Sequence, residues 1–303
     1  MLAEILNKRV LLIAGKGGVG RSTLAASLAI AGARSGRRVL LCEIGDPNGG
    51  GSPLAGLFGR DGFSEKLSEL AVCLRACHLW APYGHQLFLK DTLPGGAFVA
   101  AAMRSKTLQH FLVAAPSFLE MGWFYHLLTL LRAKHDDGGP EHELIVIDMP
   151  ATGHTLAITG LPQILLRLVD KGPVPAALRE GQSYLNDPEQ TAAWIVALPE
   201  ILPVSEALDL VEGLRSTDVP LGGFVLNRLV SDPFGEDDRR KLDELFDGRA
   251  VLGAVDFYRM ARGKEAEARL RKDGGLPLMI VPELPEEGGA LPPAIATRLQ
   301  ADS

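Results

Sequence analysis

The sequence predicts an α/β protein with a doubly wound, mostly parallel β-sheet. Apolar runs rich in Val, Ile and Leu recur along the chain without clean alternation, which is typical of strands buried on both faces of a parallel sheet. Helical patterns separate these runs, and this alternation favours helices on both faces. The predicted strands are 9–14, 38–44, 144–149, 193–198, 222–227, 250–255 and 277–281, and the predicted helices are 23–35, 155–169, 204–215, 236–247 and 258–272.

The length of the chain predicts a single domain over residues 1–303 that carries two insertions. Residues 84–136 contain long apolar helical stretches and little that resembles a strand, so we expect an inserted helical subdomain there. Residues 171–192 carry several Pro, Gly and Asn residues and are expected to form a second, irregular insertion.

The composition narrows the class of protein. A net charge of -6 argues against a general nucleic-acid-binding protein. The sequence has no apolar run long enough to predict a transmembrane segment, and its first residues lack a secretory pattern. Three cysteines are an odd number without a disulfide framework, which favours a cytoplasmic protein.

The segment between the first predicted strand and helix has the pattern of a phosphate-binding loop. Glycines let backbone N–H groups close around phosphate oxygens, and the helix N-terminus attracts anions. The hydroxyl of Ser22 is suited to Mg²⁺, whereas Arg21 stands where a lysine normally reaches the β- and γ-phosphates. The predicted nucleotide-binding residues are Gly15, Lys16, Gly17, Gly18, Val19, Gly20, Arg21, Ser22 and Thr23.

Two aspartates follow predicted strands. Asp148 ends the run Leu144–Ile147, at the carboxyl end of a central strand, where a carboxylate can hold Mg²⁺ through water. Asp46 follows the second predicted strand and precedes a glycine-rich segment, so it is a candidate for orienting the attacking water. A strand-terminating or turn aspartate is the alternative for each.

These motifs resemble a known family. The sequence GKGGVGRST with Lys16 is similar to the deviant Walker A loop of the MinD, ParA and ArsA class of ATPases. Residues 148–156, DMPATGHTL, closely resemble the switch II motif of ArsA and of the ATPases that target tail-anchored membrane proteins (the GET/TRC type). Asp46-Pro47 resembles the start of switch I, and residues 223–228 resemble the strand whose Asn reads adenine.

The resemblance implies a role for each matching residue, with ATP and Mg²⁺ as the ligands. Lys16 would reach the partner's phosphates across a nucleotide-sandwich dimer, Asp46 would activate water, and Asn227 would contact the base. Ser22 and Asp148 would serve Mg²⁺. The residues of the switch that carries nucleotide state into the helical subdomain would be Asp148, Thr152, Gly153 and His154.

The chain also departs from this family. Arg21 replaces the usual lysine, so Lys16, Arg21 and Asp46 form an unusual catalytic set. Switch I lacks the Ala-His that follows Asp-Pro in the family. No Cys-x-x-Cys is present, so the zinc clip of the eukaryotic targeting dimers is missing.

Two further patterns have competing interpretations. Cys73, Cys77 and His78 suggest a metalloid site, but small buried hydrophobes are the more frequent role of free cysteines. Apolar residues at helical spacing in the insertion would form either core or a groove for a hydrophobic client helix. They are Phe111, Leu112, Phe118, Met121, Trp123, Phe124, Leu127, Leu128 and Leu131.

Three functions remain open. The leading hypothesis is a dimeric ArsA/GET-type ATPase, homo- or heteromeric, whose client is a hydrophobic helix or membrane-associated partner. The second is a poorly hydrolysing regulatory subunit paired with a paralogue. The third is a MinD- or ParA-like positioning ATPase, which is disfavoured because the C-terminal segment is too short and weakly basic to bind a membrane and the chain is acidic.

Overall fold

The structure is a computed structural model that describes residues 1–44, 51–92, 118–150, 152–168, 171–247 and 252–302. Its strands are β1 (Val10–Gly15), β2 (Val39–Ile44), β3 (Ser68–Ala71), β4 (Leu74–Leu79), β5 (Leu144–Asp148), β6 (Thr191–Ala197), β7 (Leu221–Leu229) and β8 (Leu278–Pro282). Its helices are α1 (Leu2–Asn7), α2 (Arg21–Arg34), α3 (Pro53–Gly56), α4 (Ala81–Thr92), α5 (Phe118–Arg132), α6 (Thr152–Leu168), α7 (Pro173–Leu185), α8 (Ile201–Arg215), α9 (Glu236–Phe246), α10 (Ala254–Asp273) and α11 (Leu291–Ala301), with a short 3₁₀ helix at Gly288–Ala290.

The strands form one sheet in the order β3-β4-β2-β5-β1-β6-β7-β8. Every pairing is parallel except that of β3 with β4, which is antiparallel. The strand order reverses beside β1, so the carboxyl ends of β1 and β5 open onto the crevice where doubly wound sheets bind ligands. The predicted doubly wound, mostly parallel fold is confirmed.

Strand β1 shows why its sequence lacks polar alternation. Leu11 and Ile13 face one core, which also contains the apolar sides of α1, α2 and α11. Val10, Leu12 and Ala14 face the other core, which is covered by α5, α8 and α10. Both faces of the strand are therefore buried, and each fully buried aliphatic side chain contributes about 2 kcal/mol to folding.

The two ends of the predicted helical insertion pack against each other as α4 and α5. An added Cβ on Gly84 would lie 1.8 Å from the carbonyl oxygen of Gly122, so the helices touch at their backbones. Trp123, Leu127 and Leu131 of the apolar stripe belong to the core against the sheet. Phe111 and Leu112 lie outside the described residues, as does the side chain of Phe118. The described stripe is therefore mainly core, and the subdomain boundary at 84–136 stays a prediction.

The predicted irregular structure of residues 171–192 differs from the structure. Residues 171–192 were expected to be irregular, yet they contain α7 and the start of β6. Pro173 occupies the first turn of α7, where its fixed φ favours helix and its missing N–H costs nothing. The second insertion itself stays a prediction.

The predicted strand at 250–255 is wrong over its described part. Leu252 and Gly253 form a turn, and α10 begins at Ala254. Gly253 caps this helix with a φ of 89°. Short apolar runs fit a strand and a helix start equally well, which explains the error. Residues 250 and 251 lie outside the described part of the chain.

Two strands were missed. β3 spans four residues, and β4 interrupts its apolar side chains with Arg75 and His78. Among the described helices, none is long and apolar enough to cross a membrane.

Candidate functional site

The predicted phosphate loop lies between β1 and α2. Gly18 and Gly20 have φ values of 84° and 94°, a conformation that side chains resist, and Gly20 forms the N-cap of α2. An added Cβ on Gly17 or Gly18 would meet no atom within 4 Å, so the glycines border open space. This is the shape required for backbone N–H groups to approach phosphate oxygens.

Asn227 holds the loop from strand β7, which lies two strands away from β1 in the sheet. Its Nδ2 donates to the carbonyl oxygen of Val19 at 2.9 Å, and its Oδ1 accepts from the backbone N–H of Arg228 at 3.0 Å. The side chain is buried. In this arrangement Asn227 positions the loop, whereas the resemblance implied contact with a base.

The predicted Mg²⁺ residues meet at the start of α2. Ser22 Oγ donates to Asp148 Oδ2 at 2.5 Å, while the buried Oδ1 of Asp148 has no hydrogen-bond partner among the described residues. Burial raises the pKa of Asp148 to about 6, and Glu43 adds to this, although the Ser22 hydrogen bond and the Arg21 charge oppose it. A divalent cation would favour the ionised carboxylate, so this hydroxyl–carboxylate pair fits Mg²⁺.

Arg21 is directed at the segment after β5. Its Nη1 donates to the carbonyl oxygens of Met149 and Pro150, each at 2.5 Å. Burial lowers the pKa of Arg21, and Asp148 partly restores it. The guanidinium therefore joins the loop to the chain that enters α6.

Lys16 forms an ion pair within its own chain. Its Nζ lies 2.8 Å from Oε1 of Glu206 on α8. The Lys16 side chain is 56% exposed, so the pair is weak enough to exchange for another partner.

The remaining predicted residues are placed only in part. Asp46 lies outside the described residues. Thr152, Gly153 and His154 form the first turn of α6, but their side chains lie outside the description. Their proposed roles as switch residues and water-orienting carboxylate stay predictions.

The structure adds Glu43 to the site. This buried residue pairs in register with Asp148 across β2 and β5, and it accepts a hydrogen bond from Ser52 Oγ at 2.6 Å. His78 Nδ1 lies 3.3 Å from the other carboxylate oxygen. The sequence analysis did not identify Glu43, although a carboxylate inside an otherwise apolar strand is a signal that could have pointed to it.

A cavity of about 320 Å³ adjoins the loop. Arg228, which has a φ of 58°, lies where the pairing of β7 with β8 shifts, and such bulges redirect side chains. The cavity is lined by Thr23, Asn227, Arg228, Pro282, Glu283, Leu284, Glu286, Glu287, Gly288, Leu291 and Ile295. The tail after β8 therefore borders a cavity beside the phosphate loop.

The three cysteines do not meet at one site. Cys42 and Cys77 are buried on adjacent strands with their Sγ atoms 3.7 Å apart, whereas Cys73 is exposed. Within the described ranges, no group of three or more His, Cys, Asp or Glu residues could hold a metal ion.

A glycine loop at the carboxyl end of β1, with a hydroxyl–carboxylate pair beside it, defines a P-loop nucleotide-binding protein. The chain belongs to the CobQ/CobB/MinD/ParA nucleotide binding domain family, whose model matches residues 10–269.

Individual relatives carry the similarity over most of the chain. ATPase BagA of Mycobacterium tuberculosis is 29% identical over 243 residues, which cover 78% of this chain and 69% of the relative. ATPase get3 of Sclerotinia sclerotiorum is 26% identical over 344 residues, covering 95% of each chain. ATPase GET3 of Chaetomium globosum is 24% identical over 341 residues, covering 94% of each. The predicted resemblance to GET-type ATPases and the predicted enzyme class are thereby confirmed.

Proposed function

We propose that this chain is a Mg²⁺-dependent ATPase of the ArsA and GET type that works as a nucleotide-gated dimer. The observation that carries the proposal is the contact between Ser22 and Asp148 at the mouth of the glycine loop, where the buried Oδ1 of Asp148 has no partner among the described residues. Two relatives of this chain are named as ATPases, and their names support the same activity for it.

Each residue has a defined task in this proposal. Backbone N–H groups of the loop bind phosphate oxygens, and Ser22 and Asp148 hold Mg²⁺. The bound cation would neutralise charge on the β- and γ-phosphates. Asp46 orients the attacking water. Glu43 keeps a second carboxylate near Asp148 at the same edge of the sheet.

Lys16 provides the link between protomers. To reach phosphates bound by a partner, it must leave Glu206, and its exposed position makes this exchange inexpensive. The partner is a second copy of this chain or a paralogue. Nucleotide state then passes through α6 to the helices α4 and α5.

The client is proposed to be a hydrophobic helix or a membrane-associated partner. The similarity of residues 148–156 to the switch of tail-anchored-protein-targeting ATPases supports this. Because Trp123, Leu127 and Leu131 pack against the sheet, the client surface must use other apolar residues of the insertion. A cytoplasmic location is proposed because the three cysteines are free, including the buried pair Cys42 and Cys77, and their odd number gives no disulfide framework.

A regulatory subunit with slow hydrolysis is the second candidate. It is favoured by the position of Arg21, whose Nη1 is bonded to the carbonyls of Met149 and Pro150. Such a subunit would bind ATP and depend on a paralogue for turnover.

Replacing Lys16 by alanine tests the proposed dimer. We expect ATP-dependent association to weaken about tenfold or more, because charge-assisted hydrogen bonds to phosphate contribute about 1.5–3 kcal/mol. Analytical ultracentrifugation with Mg²⁺ and AMP-PNP measures it. Lys8→Ala is the control, because Lys8 bonds the carbonyl of Pro188, away from the loop. Association of Lys16→Ala equal to wild type would remove Lys16 from the interface.

A further inference from the structure

Arg21 connects the phosphate loop to the first turn of α6 through a single carbonyl. Arg21 Nη1 donates to the oxygens of Met149 and Pro150, each at 2.5 Å. Thr155 Oγ1, on α6, donates to the same Pro150 oxygen at 2.9 Å. Thr155 is itself buried, and its own carbonyl accepts from Thr159. A displacement of Arg21 would therefore act directly on the acceptor that helps to hold the start of α6.

The two carbonyl oxygens that Arg21 contacts bind its guanidinium less strongly than phosphate oxygens would. In the part of the chain that the structure describes, its hydrogen bonds go to neutral carbonyls, and Asp148, whose charge partly offsets the burial that lowers the pKa of Arg21, lies beyond ion-pair distance. Phosphate oxygens accept stronger, charge-assisted hydrogen bonds from guanidinium than carbonyls do. Since Arg21 is the first residue of α2, directly after the loop that would bind the phosphates, the two sets of acceptors compete for one side chain.

We propose that Arg21 is a latch between the phosphate loop and α6, which a bound nucleotide opens. Phosphate oxygens withdraw the guanidinium from Met149 and Pro150, so the Pro150 oxygen loses one of the two donors described on it, keeps the Thr155 hydroxyl, and the first turn of α6 loosens. The inference rests on the proposed nucleotide binding and adds a route by which the phosphates act on α6. Arg21 is here a positioning residue for the helix as well as a cation for the phosphates.

Arginine suits this task better than lysine. Its side chain is longer than that of lysine, and a single nitrogen, Nη1, reaches both carbonyls from the first residue of α2. Arg21→Lys should keep the positive charge for phosphate and lose the reach to both carbonyls. This variant separates the latch from nucleotide binding.

Hydrogen exchange of a peptide covering residues 149–160, followed by mass spectrometry, tests the latch. We expect Mg²⁺ and AMP-PNP to speed exchange in wild type roughly tenfold. Arg21→Lys should exchange roughly tenfold faster than wild type without nucleotide, and AMP-PNP should change it little further. A merely structural contact would raise the basal rate without removing the nucleotide response.

Arg37→Gln provides the matched control. Arg37 Nη2 donates to the carbonyl of Glu143 at 2.6 Å, just before β5 begins, so it makes the same kind of bond at the opposite end of the strand. Its variant should respond to AMP-PNP as wild type does. An equal loss of the response in Arg37→Gln would overturn the latch.

Binding of a fluorescent ATP analogue, measured on the same proteins, separates a failure of the latch from a failure of the proposed nucleotide-binding function. If wild type binds no nucleotide, the proposed function and the latch both fail. If wild type and Arg21→Lys both bind it, but exchange at 149–160 is equal in the two proteins without nucleotide, the latch fails and the proposed function stands. Unchanged exchange in wild type on binding AMP-PNP also overturns the latch.

Discussion

Replacing Ser22 by alanine is expected to lower Mg²⁺-dependent ATP turnover about a hundredfold. The change removes the hydroxyl that would bind Mg²⁺ and that donates to Asp148 Oδ2 at 2.5 Å. Loss of cation positioning costs about 3 kcal/mol of transition-state stabilisation, and each 1.4 kcal/mol is about a factor of ten in rate. Phosphate release at saturating ATP, measured over a range of Mg²⁺ concentrations, gives the result.

Ser27 provides the control on the same helix. Its hydroxyl donates to the carbonyl of Thr23 at 2.7 Å and lies in the core, so Ser27→Ala removes a similar hydroxyl without touching the Mg²⁺ residues. We expect its turnover to stay within about twofold of wild type, since this buried hydroxyl bonds only within its own helix and carries no catalytic role. Equal turnover in Ser22→Ala and wild type would remove Ser22 from the Mg²⁺ site.

Replacing Gly20 by alanine should weaken nucleotide binding by roughly a hundredfold while the fold is retained. Gly20 has a φ of 94°, where a side chain costs about 1–2 kcal/mol. In addition, the new Cβ would lie 2.3 Å from Nδ2 of Asn227, the group that holds the Val19 carbonyl. The loop must therefore move away from the shape that receives phosphate. Titration with a fluorescent ATP analogue measures the affinity.

Gly36→Ala controls for backbone strain alone. Gly36 has a similar φ of 82°, but its added Cβ would meet no atom within 4 Å. It lies after α2, at the end of the helix opposite to the loop. Both variants should lose some thermal stability, and only Gly20→Ala should lose affinity. Equal affinity losses in the two variants would show that the contact with Asn227 is unimportant.

Much of the fold could be predicted because two-sided burial leaves a strong sequence signal. β1, β2 and β5 are almost continuous apolar runs, and each lies within one or two residues of its predicted bounds. β4 was missed because Arg75 and His78 interrupt its pattern on a strand near the sheet edge. The run at 250–255 failed for the opposite reason, since its apolar residues lead into a helix.

The site residues could be predicted where a short sequence motif or the end of a predicted strand fixes their position. The contact of Ser22 with Asp148 follows from a loop after β1 and a carboxylate at the end of β5, because parallel neighbours end at one edge. The partners of Arg21 were not predictable, since main-chain carbonyls carry no residue-specific signal. The pairing of Lys16 with Glu206 likewise depends on how α8 packs beside the loop.

Steady-state phosphate release from Mg-ATP by the purified protein, beside Asp46→Asn, tests the proposed ATPase most directly. Asp46 belongs to the test because its role in orienting water rests on the sequence alone. We predict saturable, Mg²⁺-dependent release by wild type that falls to background in Asp46→Asn, while both proteins bind a fluorescent ATP analogue. Tight ATP binding by wild type without phosphate release would contradict the proposed activity and favour a regulatory subunit.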